Sequence, residues 1–186
     1  PQGSLVCRGK AASEFTIHLE QPRFWTAETP QLYQLLLRTS QEIICQPVGV
    51  RDIAIKGRQV LLNGKPLRLK GVNRHDADPV TGFTINYKQA LKDLALMKQH
   101  NINAIRSSHY PNAPWFVQMC ERYGFYMIDE ADVECHGVTE VFGGGDETTF
   151  GLIAQCKEFE PLILDRVQRC IIRDKNSPAV LIWSLG

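Results

Sequence analysis

The sequence predicts an α/β fold preceded by a shorter all-β segment, and three observations carry that reading. Residues 56–186 alternate strand and helix patterns with short connections, apart from one long loop. Residues 1–55 show β-type alternation without a helical period, and Pro22, Pro30 and Pro47 lie in the connections, where a missing backbone donor does least harm. The last residues, Ala179-Val180-Leu181-Ile182-Trp183, form an apolar run that reads as a strand buried on both faces.

The elements follow in order. Phe15, Ile17 and Leu19 alternate with polar residues, which predicts a half-buried strand, and residues 32–37 and 48–55 predict two more. Residues 59–70 predict a hairpin turning at Asn63-Gly64, a pair suited to two successive positive-φ positions. Residues 67–73 then lead into a loop at 75–82. Asn86 is placed to cap a helix whose apolar face carries Ala90, Leu91, Leu94 and Met97. A short strand at 103–106 precedes a second helix that starts near Asn112 and Pro114, runs to about Arg122 and ends at Gly124. Residues 125–128 form the next buried strand, followed by a loop containing Gly143-Gly144-Gly145 whose conformation is unreadable. Ile163, Val167, Cys170 and Ile171 mark the clearest helix, with Pro161 tolerable in its first turn, and residues 179–185 are the last strand.

The pattern β-α-β-α-β-α-β implies a parallel sheet with right-handed crossovers, either half of an eight-stranded barrel or a small open sheet. Pro1 in place of methionine, and the ending at Gly186 within a buried strand, suggest an excerpt of a longer protein. The expectation is therefore the first half of a TIM (β/α)8 barrel, preceded by the end of a β-sandwich.

Composition narrows the class. A hydrophobic content of 44% and a charged content of 22% are those of an ordinary globular protein. A formal net charge of +1 offers no electrostatic case for nucleic acid or an anionic membrane surface, and no apolar stretch is long enough to span a bilayer. The six cysteines show no CxxC and no regular spacing, which favours reduced structural thiols and a cytoplasmic setting.

Chemistry-bearing residues fall where strands end. Arg74-His75-Asp76 follows the first strand, Arg106-Ser107-Ser108-His109-Tyr110 the second, and Asp129-Glu130-Ala131-Asp132-Val133-Glu134-Cys135-His136 the third. Histidines and carboxylates thus reach the rim where barrel enzymes build their sites. A lone histidine is more often structural, but His75 and His109 occupy matching positions after successive strands. Arg106 is expected to pair with Glu130 or Asp129, holding and orienting carboxylates. Glu134 and His136, two apart on an extended segment, could start a metal site, and an oxygen donor with one imidazole suits magnesium or manganese. Trp25, Trp115 and Trp183 read as packing residues, and His18 and His100 carry no assigned role.

Residues 103–111, Asn-Ala-Ile-Arg-Ser-Ser-His-Tyr-Pro, resemble the first signature of glycoside hydrolase family 2, and residues 174–186 resemble its second. Within the family, residues 71–76 and 129–137 look most like the large bacterial β-galactosidases, and the similarity extends from about Trp25 onward. The resemblance implies an immunoglobulin-like tail over 1–55 and the first half of a catalytic barrel over 56–186. It implies retaining hydrolysis of terminal β-galactosides such as lactose through two glutamates, an acid/base and a nucleophile. In the family the acid/base follows an asparagine directly after the position of Gly186, so neither glutamate is among these residues. The isolated chain is accordingly expected not to hydrolyse a galactoside, and to be marginal in solution.

The resemblance further implies that His75 and His109 contact the galactosyl group and stabilise its transition state, and that Arg106 orients the catalytic carboxylates. It makes Glu134 and His136 two ligands of an active-site Mg2+, and the larger enzyme a homo-oligomer. Two positions depart from the signatures, Glu121 in place of Asp or Asn and Ser177 in place of His, Arg or Tyr, both near helix ends away from the rim. The Gly143–Gly145 loop also departs from the β-galactosidase pattern. Three alternatives stand beside this reading. A β-glucuronidase or β-mannosidase would share the barrel, and a non-catalytic sugar-binding module would use the rim alone. A metal-dependent amidohydrolase barrel would want a His-x-His pair where this chain has Arg74-His75-Asp76.

Overall fold

The computed structural model describes residues 3–10, 12, 14–142 and 147–186. Its first sheet is a hairpin of β1 (Tyr33–Arg38) and β2 (Ile43–Val48), with Tyr33 opposite Val48 and Arg38 opposite Ile43. Thr39 closes the turn, its hydroxyl accepting from the backbone N–H groups of Gln41 and Glu42. β3 (Ile53–Lys56), β4 (Gln59–Leu62) and β5 (Lys65–Pro66) form a second antiparallel sheet. Asn63 and Gly64 join β4 to β5 with φ of +50° and +76°, the left-handed pair that the sequence predicts for this turn.

Two expectations for the all-β part are corrected. Phe15, Ile17 and Leu19 form no strand, and Phe15 and Ile17 are exposed, because among the described residues no other segment pairs with their backbone. The strand expected over 48–55 is broken. Gly49 packs so closely on Pro178 that an added Cβ would lie 2.5 Å from its ring. Arg51 reaches across to donate to the carbonyls of Ser177, Pro178 and Val180 at 3.3, 2.8 and 2.7 Å. The backbone leaves its ladder here to dock on the barrel sheet.

That sheet is parallel, its four strands lying in chain order: β6 (Gly71–Asn73), β7 (Ala104–Arg106), β8 (Tyr126–Glu130) and β9 (Val180–Ser184). For right-handed crossovers, the general rule, an order without reversal places successive helices on one face and curls the sheet toward closure. A doubly wound open sheet would reverse its order partway. The architecture is the first half of a barrel.

α1 (Tyr87–Gln99) connects β6 to β7, and the Asn86 side chain caps it by accepting from Gln89 N–H. α2 (Pro114–Tyr123) connects β7 to β8 and stops at Gly124, whose φ of +77° is the left-handed stop expected of glycine. The long connection before β9 holds α3 (His136–Phe142), α4 (Leu152–Gln155) and α5 (Glu160–Asp174), with short 3-10 turns at Glu147–Gly151 and Lys157–Phe159. Gly143–Gly145 lie outside the described residues.

The core lies between sheet and helices. Ile105 and Met127 of the strands are buried with Ala90 and Leu94 of α1 and Phe116 and Cys120 of α2. Trp25 joins them with no exposed surface, edge-on to Tyr126, its indole N–H donating to the Glu121 carbonyl at 2.9 Å. Trp183, by contrast, is 37% exposed, which corrects its reading as a packing residue: it lies on the outermost strand, β9. None of the six cysteines forms a disulfide. Among the described residues no helix is long and apolar enough to cross a membrane.

Candidate active site at the strand ends

Parallel strands end together, so the side chains at and just past their last residues meet on one rim. Here the rim is organised around Glu130, the last residue of β8, which has no exposed surface. Its Oε2 accepts from Arg106 Nε at 2.6 Å and from the Ser184 hydroxyl at 2.7 Å. Oε1 accepts from Arg106 Nη2 at 3.0 Å and lies 2.7 Å from His109 Nδ1. Arg106 also donates through Nη1 to Asn73 Oδ1 at 3.3 Å. One side chain from each of the four strands therefore enters a single network. Burial pushes the Glu130 carboxyl up, but the hydrogen bonds from Ser184, His109 and Arg106 outweigh it and hold the group below its ordinary value.

His75 and His109, which occupy matching positions after successive strands, lie with their rings edge to face and centroids 5.5 Å apart. The loops that carry them are pinned to each other. Asp76 N–H donates to the Tyr110 hydroxyl at 2.8 Å, and the Asn112 amide donates to Asp76 Oδ2 at 3.3 Å. Arg74 holds Asp76 at 2.6 Å and Asp93 at 2.9 Å, and its guanidinium lies 4.3 Å from the Phe116 ring centroid. Arg106 at the rim and Arg74 on the helix side are thus both committed to carboxylates.

Of the two candidate partners for Arg106, the structure selects Glu130. Asp129 points the other way, accepting from the Ser107 hydroxyl and the Cys170 thiol at 3.3 Å each. Burial and the neighbouring Asp174 carboxyl push it up to about 6. Sequence reasoning gave Glu130, Ser184 and Asn73 no role of their own. The period-two alternation of β8, which separates Glu130 from Asp129, was the signal available for the first of them.

Glu134 and His136 meet locally, before and at the start of α3. Glu134 Oε1 accepts from the His136 N–H at 2.8 Å and lies 3.8 Å from its Nδ1, while Nε2 lies 3.6 Å from Glu140. A carboxylate oxygen beside an imidazole fits two positions of a Mg2+ or Mn2+ shell. Among the described residues, no group of three or more His, Cys, Asp or Glu side chains converges as a metal centre.

Comparison with known proteins gives this rim a context. The chain is 46% identical to a β-galactosidase of Actinobacillus pleuropneumoniae, over all of this chain and 20% of that protein. It is 40% identical to a β-galactosidase of Staphylococcus xylosus, over all of this chain and 19% of that protein. The chain thus spans about a fifth of the length of these curated relatives. Among solved structures, Faecalibacterium prausnitzii β-glucuronidase superposes with a TM-score of 0.78 at 33% identity, over 94% of this chain and 28% of that one. Ruminococcus gnavus β-glucuronidase in complex with D-glucuronic acid superposes with a TM-score of 0.74 at 27% identity, over 90% of this chain and 27% of that one. Residues 53–186 match the family described as glycosyl hydrolases family 2, TIM barrel domain. The half-barrel, its histidine–carboxylate rim and this match lead to one conclusion: the chain belongs to glycosyl hydrolase family 2.

Proposed function

We propose that the chain carries the sugar-positioning rim of a retaining β-galactosidase that hydrolyses terminal non-reducing β-D-galactosides such as lactose. In this reading His75 and His109 contact the hydroxyls of the galactosyl ring, and Arg106 fixes the carboxylate network beneath it. The two glutamates of the double displacement would complete the site, one protonating the leaving oxygen and the other forming the glycosyl-enzyme.

The observation that supports the choice of sugar is the commitment of the arginines at the strand ends. Arg106 is bound to Glu130 and Asn73, and Arg74 to Asp76 and Asp93. A glucuronide would bring a carboxylate needing a cation of its own, whereas a galactoside brings only hydroxyls. The β-galactosidase relatives support the same choice. The solved β-glucuronidases support the second reading, a glucuronidase on the same barrel.

Glu134 and His136 would hold Mg2+, and that ion would lower the proton affinity of groups beside it. A division into an immunoglobulin-like tail over 1–55 and a barrel half over 56–186, a homo-oligomeric larger enzyme and a cytoplasmic location complete the proposal.

The test is a titration of the chain with D-galactose and with D-glucuronate, followed by the NMR signals of the His75 and His109 rings. Saturable shifts with galactose alone are expected. Shifts with glucuronate alone would replace the galactoside reading by the glucuronide one, and no shift with either sugar would end both.

A further inference from the structure

We propose that Glu130 is a positioning residue that sets the proton on His109: it fixes the imidazole as the Nδ1–H tautomer, so that Nε2 presents a lone pair to a sugar hydroxyl. This rests on the glycosidase reading for the identity of the ligand, but the assignment of the tautomer stands on geometry alone.

The buried carboxylate is ringed by donors from two other strands. Arg106 contributes two N–H groups, at 2.6 and 3.0 Å, and a guanidinium can only donate. Ser184 contributes its O–H at 2.7 Å from strand β9. A carboxylate ringed in this way is anionic and acceptor-only, so the proton in the 2.7 Å contact with His109 belongs to Nδ1. Arg106 Nη2 also lies 3.4 Å from Nδ1, and both N–H groups converge on the same Oε1. With Nδ1 carrying that proton, the second nitrogen of the neutral imidazole is the acceptor.

The remaining geometry suits a ligand contact. The His109 side chain is 37% exposed although its partner is fully buried, so the ring is held from below and open above. His75 stands edge-on beside it. Because one tautomer is fixed, His109 discriminates: it takes hydrogen from a hydroxyl and rejects a group that offers only acceptors at that position. Glu130 acts through His109 and touches no substrate itself.

The experiment is a long-range 1H–15N correlation of the histidine rings in the 15N-labelled chain at pH 8. His109 should show a protonated Nδ1 and an unprotonated Nε2. Glu130→Gln, which offers an amide N–H as well as an oxygen, should lose the single tautomer, while Glu130→Asp, which keeps an acceptor-only group, should retain it. The His75 ring is the internal control. A wild-type His109 protonated at Nε2, or a Gln variant with an unchanged tautomer, overturns the proposal; the wild-type spectrum decides even if a variant does not fold. D-galactose should move the His109 Nε2 signal, with about tenfold weaker binding in Glu130→Gln. A fixed tautomer without a galactose response would remove the glycosidase reading and leave the role of Glu130 intact. A galactose response without the tautomer would do the reverse.

Discussion

Asp129 and Glu130 are neighbours in the chain and face opposite sides of the sheet. Glu130 sits at the rim under Arg106 and His109, while Asp129 contacts Ser107 and Cys170 on the helix side. Both are completely buried, yet their protonation is driven in opposite directions: the rim donors hold Glu130 low, and burial with Asp174 pushes Asp129 up. The difference is one of partners, since cations and N–H groups favour a carboxylate and a second carboxyl disfavours it.

Stability should therefore bend with pH in two places. A carboxyl raised from 3.8 to about 6 contributes stability that is complete below its unfolded value and lost as pH rises through about 6. Asp129→Asn should remove that slope and raise stability at pH 7 by about 2 to 3 kcal/mol. Glu130, held low, contributes in the other sense: its share is present above the unfolded value and lost as pH falls through the folded one. Urea melts of both proteins between pH 4 and 8 check this, and parallel curves would contradict it.

Truncating Glu130 should cost far more than neutralising Asp129. Glu130→Ala leaves Arg106 without its carboxylate beside a cavity, a loss of about 3 to 5 kcal/mol. The measurement is the denaturation midpoint, and a loss below about 1 kcal/mol would mean that the rim network does not bind the strands together.

Gly124 is constrained twice. Its φ is +77°, and a Cβ there would lie 2.2 Å from the Ala27 carbonyl oxygen. Gly124→Ala should destabilise by about 2 to 3 kcal/mol or more, read from the same melts. Gly64, also at positive φ but with open space around it, should tolerate alanine better, at about 1 kcal/mol.

If Glu134 and His136 hold a divalent cation, Mn2+ should broaden the His136 ring signals at concentrations that leave His18 unaffected. Excess Mg2+ should reverse the broadening, and Glu134→Ala should weaken it about tenfold. Equal broadening of both histidines would show only diffuse association.

Much of the fold was legible because its signals are local. Asn86 caps its helix, Asn63-Gly64 makes its turn and Gly124 stops α2, since each depends on the dihedral and donor chemistry of a few adjacent residues. The strand–helix alternation was equally readable, and with it which strand ends carry His75 and His109. Elsewhere local pattern misled. Phe15, Ile17 and Leu19 alternate like a strand but have no pairing segment among the described residues, and Gly49 and Arg51 leave theirs to dock on residues far along the chain.

The sequence by itself thus determined the order of elements, the family signatures and which strand ends carry histidines and carboxylates. Only the tertiary structure decided that Arg106 takes Glu130 rather than Asp129, that Ser184 closes the network from β9, and that one carboxyl is held low while its neighbour is pushed up. The physical reason is distance along the chain. Periodicity records which face a residue takes, whereas charge state depends on partners tens of residues away, which only the folded sheet brings within hydrogen-bonding reach.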